Sequence, residues 1–373
     1  MKELRIKDIC DKGSSNLKQK DVEGKNGQYP VYGASGIISH IDTYHQEENY
    51  IAIVKDGSGI GRVTFMPAKS SVIGTMQYIL PKEGFNINYI GYCLQSLDLS
   101  KYKQGAAIPH IYFRDYGERI VKVTEDTKEQ QSIVDYLDSA FAKIDAMKAN
   151  AEKSLYEAKA LFQASLKEML EPKEGWEVAT IGKLGDIFGR IGFRGYTKND
   201  LVAGPDEGAI TLSPSNIQDG RMDYTSCTYI SWFKYEESPE IMINNGDVLI
   251  VKTGSSYGKS AFVENLPHKA TINPQSVVIK NIIINNKFFA YLMRTPWVLA
   301  KFDEFVSGTA IPTFSQAKLS QVELSYPSND MQNKICEKLD SLKSKVDKLQ
   351  ENYDKISQEC DALKQAILRQ VFE

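Results

Sequence analysis

The stretch T-G-S-S-Y-G-K-S, from Thr253 to Ser260, has the residue types of a nucleotide-binding loop. Such a loop follows the pattern G-x-x-x-x-G-K-[ST] between a strand and a helix, because backbone N–H groups and the helix N-terminus hold the phosphates. Here only three residues separate Gly254 from Gly258, and the A-F-V-E-N-L-P that follows does not predict a helix. The pattern therefore disfavours a nucleotide hydrolase, and a blank ATP-binding assay would exclude one.

Other catalytic motifs are incomplete or missing. The N-P-Q-S at Asn273 lacks the second proline and the aromatic residue of an adenine-methyltransferase loop, and the D-T-K at Asp126 lacks the upstream P-D of a nuclease. The sequence contains no H-E-x-x-H and no nucleophile elbow. Its five cysteines form no C-x-x-C pair, which argues against zinc or a disulfide framework. We therefore predict a chain that is not an enzyme and has no metal site and no cofactor.

Composition is typical of a water-soluble protein with two or three domains: 373 residues, 42% hydrophobic and 25% charged. The apolar runs are too short to span a bilayer, and the start shows no signal peptide, so we expect a cytoplasmic protein without membrane contact. The net charge of −3 does not by itself indicate a nucleic-acid partner. Phosphate binding depends, however, on where the positive charges lie rather than on their sum.

The chain contains an internal repeat with a period of roughly 200 residues. The matching segments occur in the same order in both copies, and the second copy carries about 22 extra residues ahead of its glycine-rich stretch. They are I-V-K-D-G-S-G-I-G-R (53–62) with I-V-K-T-G-S-S-Y-G-K (250–259), G-A-A-I-P (105–109) with G-T-A-I-P (308–312), and L-D-S-A-F-A-K-I-D (137–145) with L-D-S-L-K-S-K-V-D (339–347).

The repeat assigns a role to the glycine-rich stretch. The first copy has Arg62 and Val63 where a nucleotide loop requires Lys and Ser or Thr. What the two copies share is I-V-K-x-G-S-x-x-G-[RK], an apolar strand followed by a lysine, a tight turn and a second base. This pattern predicts a β-hairpin tip that carries two positive charges.

The coarse organisation is two β-rich domains, each followed by a long helix. The predicted bounds are 1–126 and 172–327 for the domains and 127–171 and 328–373 for the helices, with short β-type runs such as Tyr50–Val54 and Asp247–Val251. Apolar residues spaced alternately by four and three indicate coiled-coil helices. The predicted helix seam includes Ile133, Leu137, Ile144, Met147 and Leu161 in the first helix and Ile335, Leu339, Val346, Leu349, Ile356 and Leu363 in the second.

The two seams differ in side-chain size, which favours pairing with each other. The first helix has Ala140, Ala151, Ser154 and Ala158 where the second has Leu342, Tyr353, Ile356 and Cys360. We therefore predict an α+β fold in which the helices form an intramolecular antiparallel coiled coil, giving the chain a circular organisation with an internal two-fold repeat. The alternative is two separate homodimeric zippers.

Candidate binding residues lie in the glycine-rich stretches and beside the A-I-P segments. Lys, Arg, Ser and Thr side chains on turns are the usual phosphate contacts in protein–DNA complexes. The candidates are Lys55, Ser58, Arg62, Gln104 and His110 in the first copy and Lys252, Ser255, Tyr257, Lys259, Ser307, Thr309 and Thr313 in the second. The alternatives are ordinary surface turns and a proline segment that only positions the start of the helix.

Taken in order, the motifs resemble those of the specificity subunits of Type I restriction–modification enzymes, and the similarity covers the chain from end to end. The carrying motifs are Y-P-V-Y-G-A-S-G (29–36), T-L-S-P-S-N-I (211–217), A-I-P-H-I-Y-F-R-D (107–115), A-I-P-T-F-S-Q-A-K (310–318), the helix openings E-Q-Q-S-I-V and M-Q-N-K-I-C, and the L-x-Q-A-x-L helix ends.

The resemblance implies a function. Each β-rich domain would be a target-recognition domain that reads one half of a split site in double-stranded DNA, and the helices would be spacers that set the gap. The helices would also dock two methyltransferase subunits, which carry S-adenosylmethionine and methylate adenine, while separate motor-nuclease subunits cleave DNA. The chain itself would be a non-catalytic recognition subunit.

Two other functions remain open. One is the specificity subunit of a related system whose modification and cleavage activities share one partner chain. The other is a coiled-coil scaffold that carries two ligand-binding domains and does not bind DNA. Binding of a randomised duplex pool, with and without a methyltransferase subunit, would separate the scaffold from the DNA-binding functions.

Overall fold

The computed structural model describes residues 1–105, 108–306 and 312–373. These residues divide into two compact units, Met1–Lys153 with Glu351–Glu373, and Ser154–Gln350. The division falls within both long helices, so each unit combines one β-rich region with a part of each helix. The predicted bounds of the recognition domains stay a prediction.

The first unit is built from short strands and one substantial helix. Its elements are β1 (Lys2–Arg5), α1 (Ile6–Ile9), β2 (Cys10–Ser14), α2 (Gln19–Val22), β3 (Tyr29–Gly33), β4 (Gly36–Ile41), β5 (Tyr50–Val54), β6 (Val63–Met66), β7 (Ser71–Val72), β8 (Met76–Pro81), α3 (Ile87–Ser96), α4 (Phe113–Tyr116), β9 (Ile120–Val123) and the start of α5 (Thr127–Leu170).

Three sheets organise this unit. The main sheet has the order β2-β8-β5-β6 and is antiparallel, and β5 is buried at all five positions because other elements cover both of its faces. A second sheet has the order β4-β3-β7, in which β3 and β7 run parallel. The ribbon of β1 and β9 joins the first residues of the region to the strand that precedes α5.

The second unit repeats this plan with additional strands. Its elements are β10 (Glu177–Thr180), α6 (Ile181–Leu184), β11 (Asp186–Gly189), β12 (Leu201–Val202), β13 (Gly208–Leu212), β14 (Ile217–Gln218), β15 (Arg221–Met222), β16 (Tyr229–Ser231), α7 (Trp232–Glu236), β17 (Val248–Val251), β18 (Ser260–Phe262), β19 (Ala270–Ile272), β20 (Ser276–Lys280), α8 (Asn286–Leu292), α9 (Pro296–Phe305), α10 (Gln316–Ser320), β21 (Glu323–Tyr326) and α11 (Asn329–Phe372).

Equivalent strands make equivalent sheets in the second unit. The main sheet has the order β11-β20-β17-β18-β15-β14, and its first four strands correspond to β2, β8, β5 and β6. The second sheet has the order β12-β16-β13-β19, in which β13 and β19 run parallel as β3 and β7 do. The β10–β21 ribbon matches the β1–β9 ribbon. The internal repeat of the sequence is therefore a repeat of the fold.

Each β-rich region holds the first turn of a long helix through an equivalent hydrogen bond. The N–H of Asn86 donates to the side chain of Gln130 at 2.7 Å, and the N–H of Asn285 donates to that of Gln332 at 2.9 Å. Both glutamines are buried. A buried amide must find partners, so these contacts fix where each helix starts relative to its region.

The long helices begin and end close to the predicted residues. Asp126 caps α5, because its Oδ1 accepts a hydrogen bond from the N–H of Lys128 at 2.9 Å. The second helix, α11, starts at Asn329, directly after Ser328, and both helices contain 44 residues. None of the helices in the described part of the chain is long and apolar enough to cross a lipid bilayer.

The two helices pack antiparallel within each unit. In the first unit, Lys148 Nζ lies 3.4 Å from Asp361 Oδ1 and Lys364 Nζ lies 2.6 Å from Asp145 Oδ1, so residue numbers rise along α5 as they fall along α11. In the second unit, Lys159 Nζ donates to Gln350 Oε1 at 2.8 Å. The predicted antiparallel intramolecular pair is therefore present.

The C-terminal residues of the chain pack on the first β-rich region. The rings of Phe372 and Tyr89 lie 5.3 Å apart, and Lys122 Nζ donates to the backbone oxygen of Glu373 at 2.6 Å. Both ends of the chain thus belong to one unit, as the predicted circular organisation requires.

The predicted seam is wrong at three residues. Met147 and Leu161 on α5 are 59% and 58% exposed, and Leu363 on α11 is 48% exposed. The neighbouring residues Lys148, Phe162 and Lys364 take their places. The other predicted seam residues are buried or half-buried: Ile133, Leu137, Ile144, Ile335, Leu339, Val346, Leu349 and Ile356.

The error has a physical cause. Residues three and four positions along a helix flank the same stripe, so the pattern alone does not decide between 147 and 148 or between 161 and 162. A pattern of apolar residues also passes over lysine. In the structure, the aliphatic stems of Lys148 and Lys364 pack at the seam while their ammonium groups reach Asp361 and Asp145.

The corrected seam predicts different stabilities for two adjacent variants. Phe162→Ala should lower the free energy of unfolding by about 3 kcal/mol, because the ring is buried in the core of the second unit. Leu161→Ala should change it by less than about 0.5 kcal/mol, because this side chain is exposed. The measurement is the urea midpoint of helix loss by circular dichroism. Equal shifts in the two variants would contradict the corrected seam.

Candidate nucleic-acid interface

The glycine-rich stretch of the first unit is a turn between two antiparallel strands. It connects β5 to β6, and the N–H of Gly61 donates to Val54 O at 2.8 Å, while the N–H of Val54 donates to Arg62 O at 3.0 Å. Gly57, Gly59 and Gly61 all have φ between +82° and +85°. Side chains disfavour this left-handed conformation, so the turn requires glycine.

The stretch in the second unit has the same form. It connects β17 to β18, with Gly258 N–H donating to Val251 O and Val251 N–H donating to Lys259 O, both at 2.8 Å. A strand rather than a helix follows both turns. The helix N-terminus that a nucleotide loop uses for phosphate is thus absent from both turns, which the structure describes in full.

In each unit the proline segment pairs with the glycine-rich turn. Gly57 N–H donates to Pro109 O at 3.0 Å, and the N–H of Ile111 donates to Lys55 O at 2.9 Å. The second unit repeats both bonds, from Gly254 N–H to Pro312 O at 3.0 Å and from the N–H of Phe314 to Lys252 O at 3.1 Å. Two segments that are far apart in sequence therefore form one surface.

The turn that precedes β8 or β20 lies on the other side of the glycine-rich turn. Lys55 N–H donates to Thr75 O at 2.9 Å, and Lys252 N–H donates to Gln275 O at 2.8 Å. This neighbour was not predicted as part of the site. Thr75 and Gln275 differ in type, so the alignment of the two copies gave no signal for it.

A fourth segment follows the strand that pairs parallel with β7 or β19. In the first unit, the N–H of Ile73 donates to Tyr32 O at 3.0 Å, and Arg62 Nη1 donates to Ala34 O at 2.9 Å. In the second, the N–H of Asn273 donates to Leu212 O at 2.8 Å. The G-A-S-G turn after β3 and the S-P-S-N turn after β13 therefore take equivalent positions.

These four segments together form what we call the loop edge of each unit. The loop edge comprises residues 33–36, 55–62, 73–75 and 109–111 in the first unit and residues 213–216, 252–259, 273–275 and 312–314 in the second. The same backbone hydrogen bonds hold it in both units, while most of its side chains differ.

In the first unit the loop edge brings the predicted residues together. Ser58 and Arg62 are exposed on the glycine-rich turn. The half-buried Lys55 forms an ion pair with Asp56, whose other carboxylate oxygen lies 2.7 Å from His110 Nδ1. The exposed Gln104 lies beside this group, because its backbone exchanges two hydrogen bonds of 2.8 Å with that of His110.

In the second unit two hydroxyl groups replace the acid and the imidazole. Thr253 Oγ1 lies 2.8 Å from Thr313 Oγ1, in the place of Asp56 and His110. Among the described residues, none forms an ion pair with the half-buried Lys252. Burial lowers the pKa of this ammonium, because desolvation disfavours the charged form. An anion that approached Lys252 would therefore meet a poorly solvated positive charge.

The remaining predicted residues of the second unit have different surroundings. Ser255 and Lys259 are exposed on the turn. Tyr257 is half-buried, and its hydroxyl group donates a hydrogen bond to Asp303 on α9. Ser307 and Thr309 lie outside the described residues.

The sequence matches a family model described as the Type I restriction modification DNA specificity domain, over residues 1–155 and 173–358. No curated protein matches the chain. One similar solved structure comes from a study of assembly and conformational transition in a Type I restriction–modification system. It has a TM-score of 0.71 and 14% identity, covering 98% of this chain and 96% of the other.

A second similar structure is that of the HsdS subunit from Thermoanaerobacter tengcongensis. It has a TM-score of 0.52 and 13% identity, covering 98% of this chain and 95% of the other. At these identities the solved structures support the fold, whereas the family model matches most of the sequence. Members of the matched family are non-catalytic DNA-recognition subunits, and the catalytic activities of the complex lie on partner subunits. The chain belongs to the family of Type I restriction–modification specificity subunits.

Proposed function

We propose that this chain binds double-stranded DNA and reads a split recognition site, with the loop edge of each unit contacting one half-site. The observation that carries the proposal is the repeated loop edge, in which one backbone frame presents two different sets of side chains. A shared frame suits the sugar–phosphate backbone, which is alike in both half-sites. Differing side chains suit two different base sequences.

The charges at the loop edge support contact with phosphate. Arg62 and Lys259 are exposed at equivalent positions of the two turns, and Lys55 and Lys252 stand at the start of the turns. Backbone N–H groups and the hydroxyl groups of Ser58 and Ser255 add further donors of the kind that phosphate oxygens accept.

We also propose that the exposed side of α5 docks the methyltransferase subunits, which carry S-adenosylmethionine. In the first unit, Tyr136 and Met147 on this helix are both more than half exposed. Eleven residues separate them, which places them within about 20° on a helix with about 3.6 residues per turn. Large apolar side chains aligned on an exposed helix face are typical of a protein-binding surface. Motor-nuclease subunits would join the restricting complex.

The proposal predicts an effect of the loop-edge lysines on salt dependence. For the complex with its methyltransferase partner, Lys252→Ala should lower the slope of log affinity against log salt by about one unit, for specific and non-specific duplexes alike. Lys55→Ala should have a smaller effect in the same direction, because Asp56 already neutralises part of that charge. The exposed Lys173, which precedes β10 outside the loop edge, supplies the control variant Lys173→Ala. An unchanged slope for Lys252→Ala would contradict phosphate contact.

A second prediction concerns the independence of the half-sites. Replacing residues 172–327 with the same segment of a relative should change one half-site and leave the other intact, because each unit has its own loop edge. The measurement is adenine-methylation sequencing of DNA from cells that contain the chimaera and its partner. A change in both half-sites would contradict independent reading, and the absence of any split motif in the parent would contradict the proposed function.

A third prediction concerns partner docking. Met147→Glu should reduce co-purification of the methyltransferase subunit at least about tenfold, because the new charge would be buried in the interface. The urea midpoint should not change, since the side chain is exposed. Met147→Leu keeps an apolar group and should retain the partner. Full co-purification of Met147→Glu would place the docking surface elsewhere.

A further inference from the structure

A phenylalanine on the loop between β11 and β12 is almost fully exposed. Phe193 is 83% exposed, although removing an aromatic ring of this size from water is favourable. The ring lies in the turn Gly192–Arg194, directly after β11. The loop belongs to the second unit.

The loop that carries Phe193 is firmly held. The N–H of Arg194 donates to Ile191 O at 2.9 Å, which closes the turn. Arg190 is 6% exposed, and its guanidinium donates to Arg194 O at 3.3 Å and to Ile272 O at 3.2 Å. It thereby ties the loop to the end of β19. The exposed ring is therefore positioned before any partner arrives, which limits the entropy lost on binding.

The loop leaves the sheet beside the loop edge. The strands β11 and β17 both pair antiparallel with β20, so their C-terminal ends lie at the same end of the sheet. The glycine-rich turn follows β17 at that end, and the loop with Phe193 follows β11. Ile272, which binds Arg190, directly precedes the 273–275 segment of the loop edge.

The equivalent loop of the first unit has a different form. Its strand β2 ends at Ser14 and is followed by Ser15, Asn16 and Leu17, which include no aromatic ring. The N–H of Gly74 donates to Leu17 O at 2.7 Å, so this connection turns back against the 73–75 segment. The exposed ring beside the loop edge of the first unit is instead Tyr112, which follows the 109–111 segment, is 42% exposed and stacks on His110.

We propose that Phe193 inserts as an apolar wedge into the base stack of the half-site bound by the second unit, a contact for which the first unit has no counterpart after β2. The inference rests on the proposed function. Proteins that insert apolar side chains between base steps unstack and bend the duplex there, and this selects for steps that deform easily. The guanidinium of Arg194 lies 5.6 Å from the Phe193 ring and 3.4 Å from Glu240 Oε1, so this ion pair also helps to hold the turn.

The test uses the complex with its methyltransferase partner and a duplex that carries the methylated split site. A fluorescent base analogue is placed at each position of either half-site in turn, and its fluorescence reports unstacking. The wild-type complex should raise the signal at one step of the second unit's half-site. Phe193→Ala should remove that rise and weaken specific binding roughly tenfold, with an unchanged salt slope because no charge is lost.

Two further variants separate wedging from other effects. Phe193→Trp keeps an aromatic wedge and should retain the signal. Phe233, on α7, is 73% exposed. Because α7 follows β16, it lies at the end of the β12-β16-β13-β19 sheet opposite Asn273 and the loop edge. Phe233→Ala should therefore behave as wild type. Equal urea midpoints for all variants would exclude a loss of folding.

The possible results distinguish failure of the wedge from failure of the proposed split-site function. Wild-type fluorescence and affinity in Phe193→Ala would overturn the wedge and leave the split-site function intact. Weaker binding with the fluorescence rise retained would also overturn it, as would loss of the methyltransferase partner, which would assign Phe193 to a protein interface. A wild-type complex with no preference for the split site would overturn the proposed function itself.

Discussion

The loop edge depends on the backbone hydrogen bond between a glycine N–H and the proline carbonyl of a distant segment. Gly57 and Pro109 make this bond in the first unit, and Gly254 and Pro312 make it in the second. Both glycines have positive φ, which aims the N–H toward the proline segment. Proline fixes its own backbone and offers only a carbonyl, so the segment can accept this bond without competing donors. The same proline segment precedes the long helix, which couples the loop edge to the helix that follows.

Because this frame consists of backbone bonds, the side chains on it can change without loss of the fold. The pair Asp56 and His110 in the first unit becomes Thr253 and Thr313 in the second, with the same strand pairing beneath. The exchange replaces an ionisable pair by a neutral one, and it leaves Lys252 without the carboxylate that Lys55 has. Two electrostatically different surfaces thus arise from one architecture, which is the property that a protein reading two different half-sites needs.

The sequence predicted the long helices more completely than it predicted the loop edge. The 44-residue helices and their pairing followed from the spacing of apolar residues and from the matched repeats, which are signals along the sequence. The displacement from Met147 to Lys148 did not follow, because the partner helix decides which flank of a stripe is buried. Likewise, Thr75 and Gln275 bind the glycine-rich turns through their carbonyl groups, so their residue types carried no signal for this contact. The equivalence of G-A-S-G and S-P-S-N needed the parallel pairing of β3 with β7 and of β13 with β19.

The two copies share the hydrogen bonds that position the long helices and differ in the strands around them. The hydrogen bonds from Asn86 to Gln130 and from Asn285 to Gln332 fix the start of each long helix relative to its β-rich region. A partner that binds both units alike would require this shared position. The strands β12, β14 and β15 of the second copy, in contrast, have no counterparts in the two larger sheets of the first unit. One of them contacts the long helix, because Arg221 on β15 forms an ion pair with Asp347 on α11. The second unit therefore gains a contact between its main sheet and its helix, while the start of each long helix is held in the same way in both units.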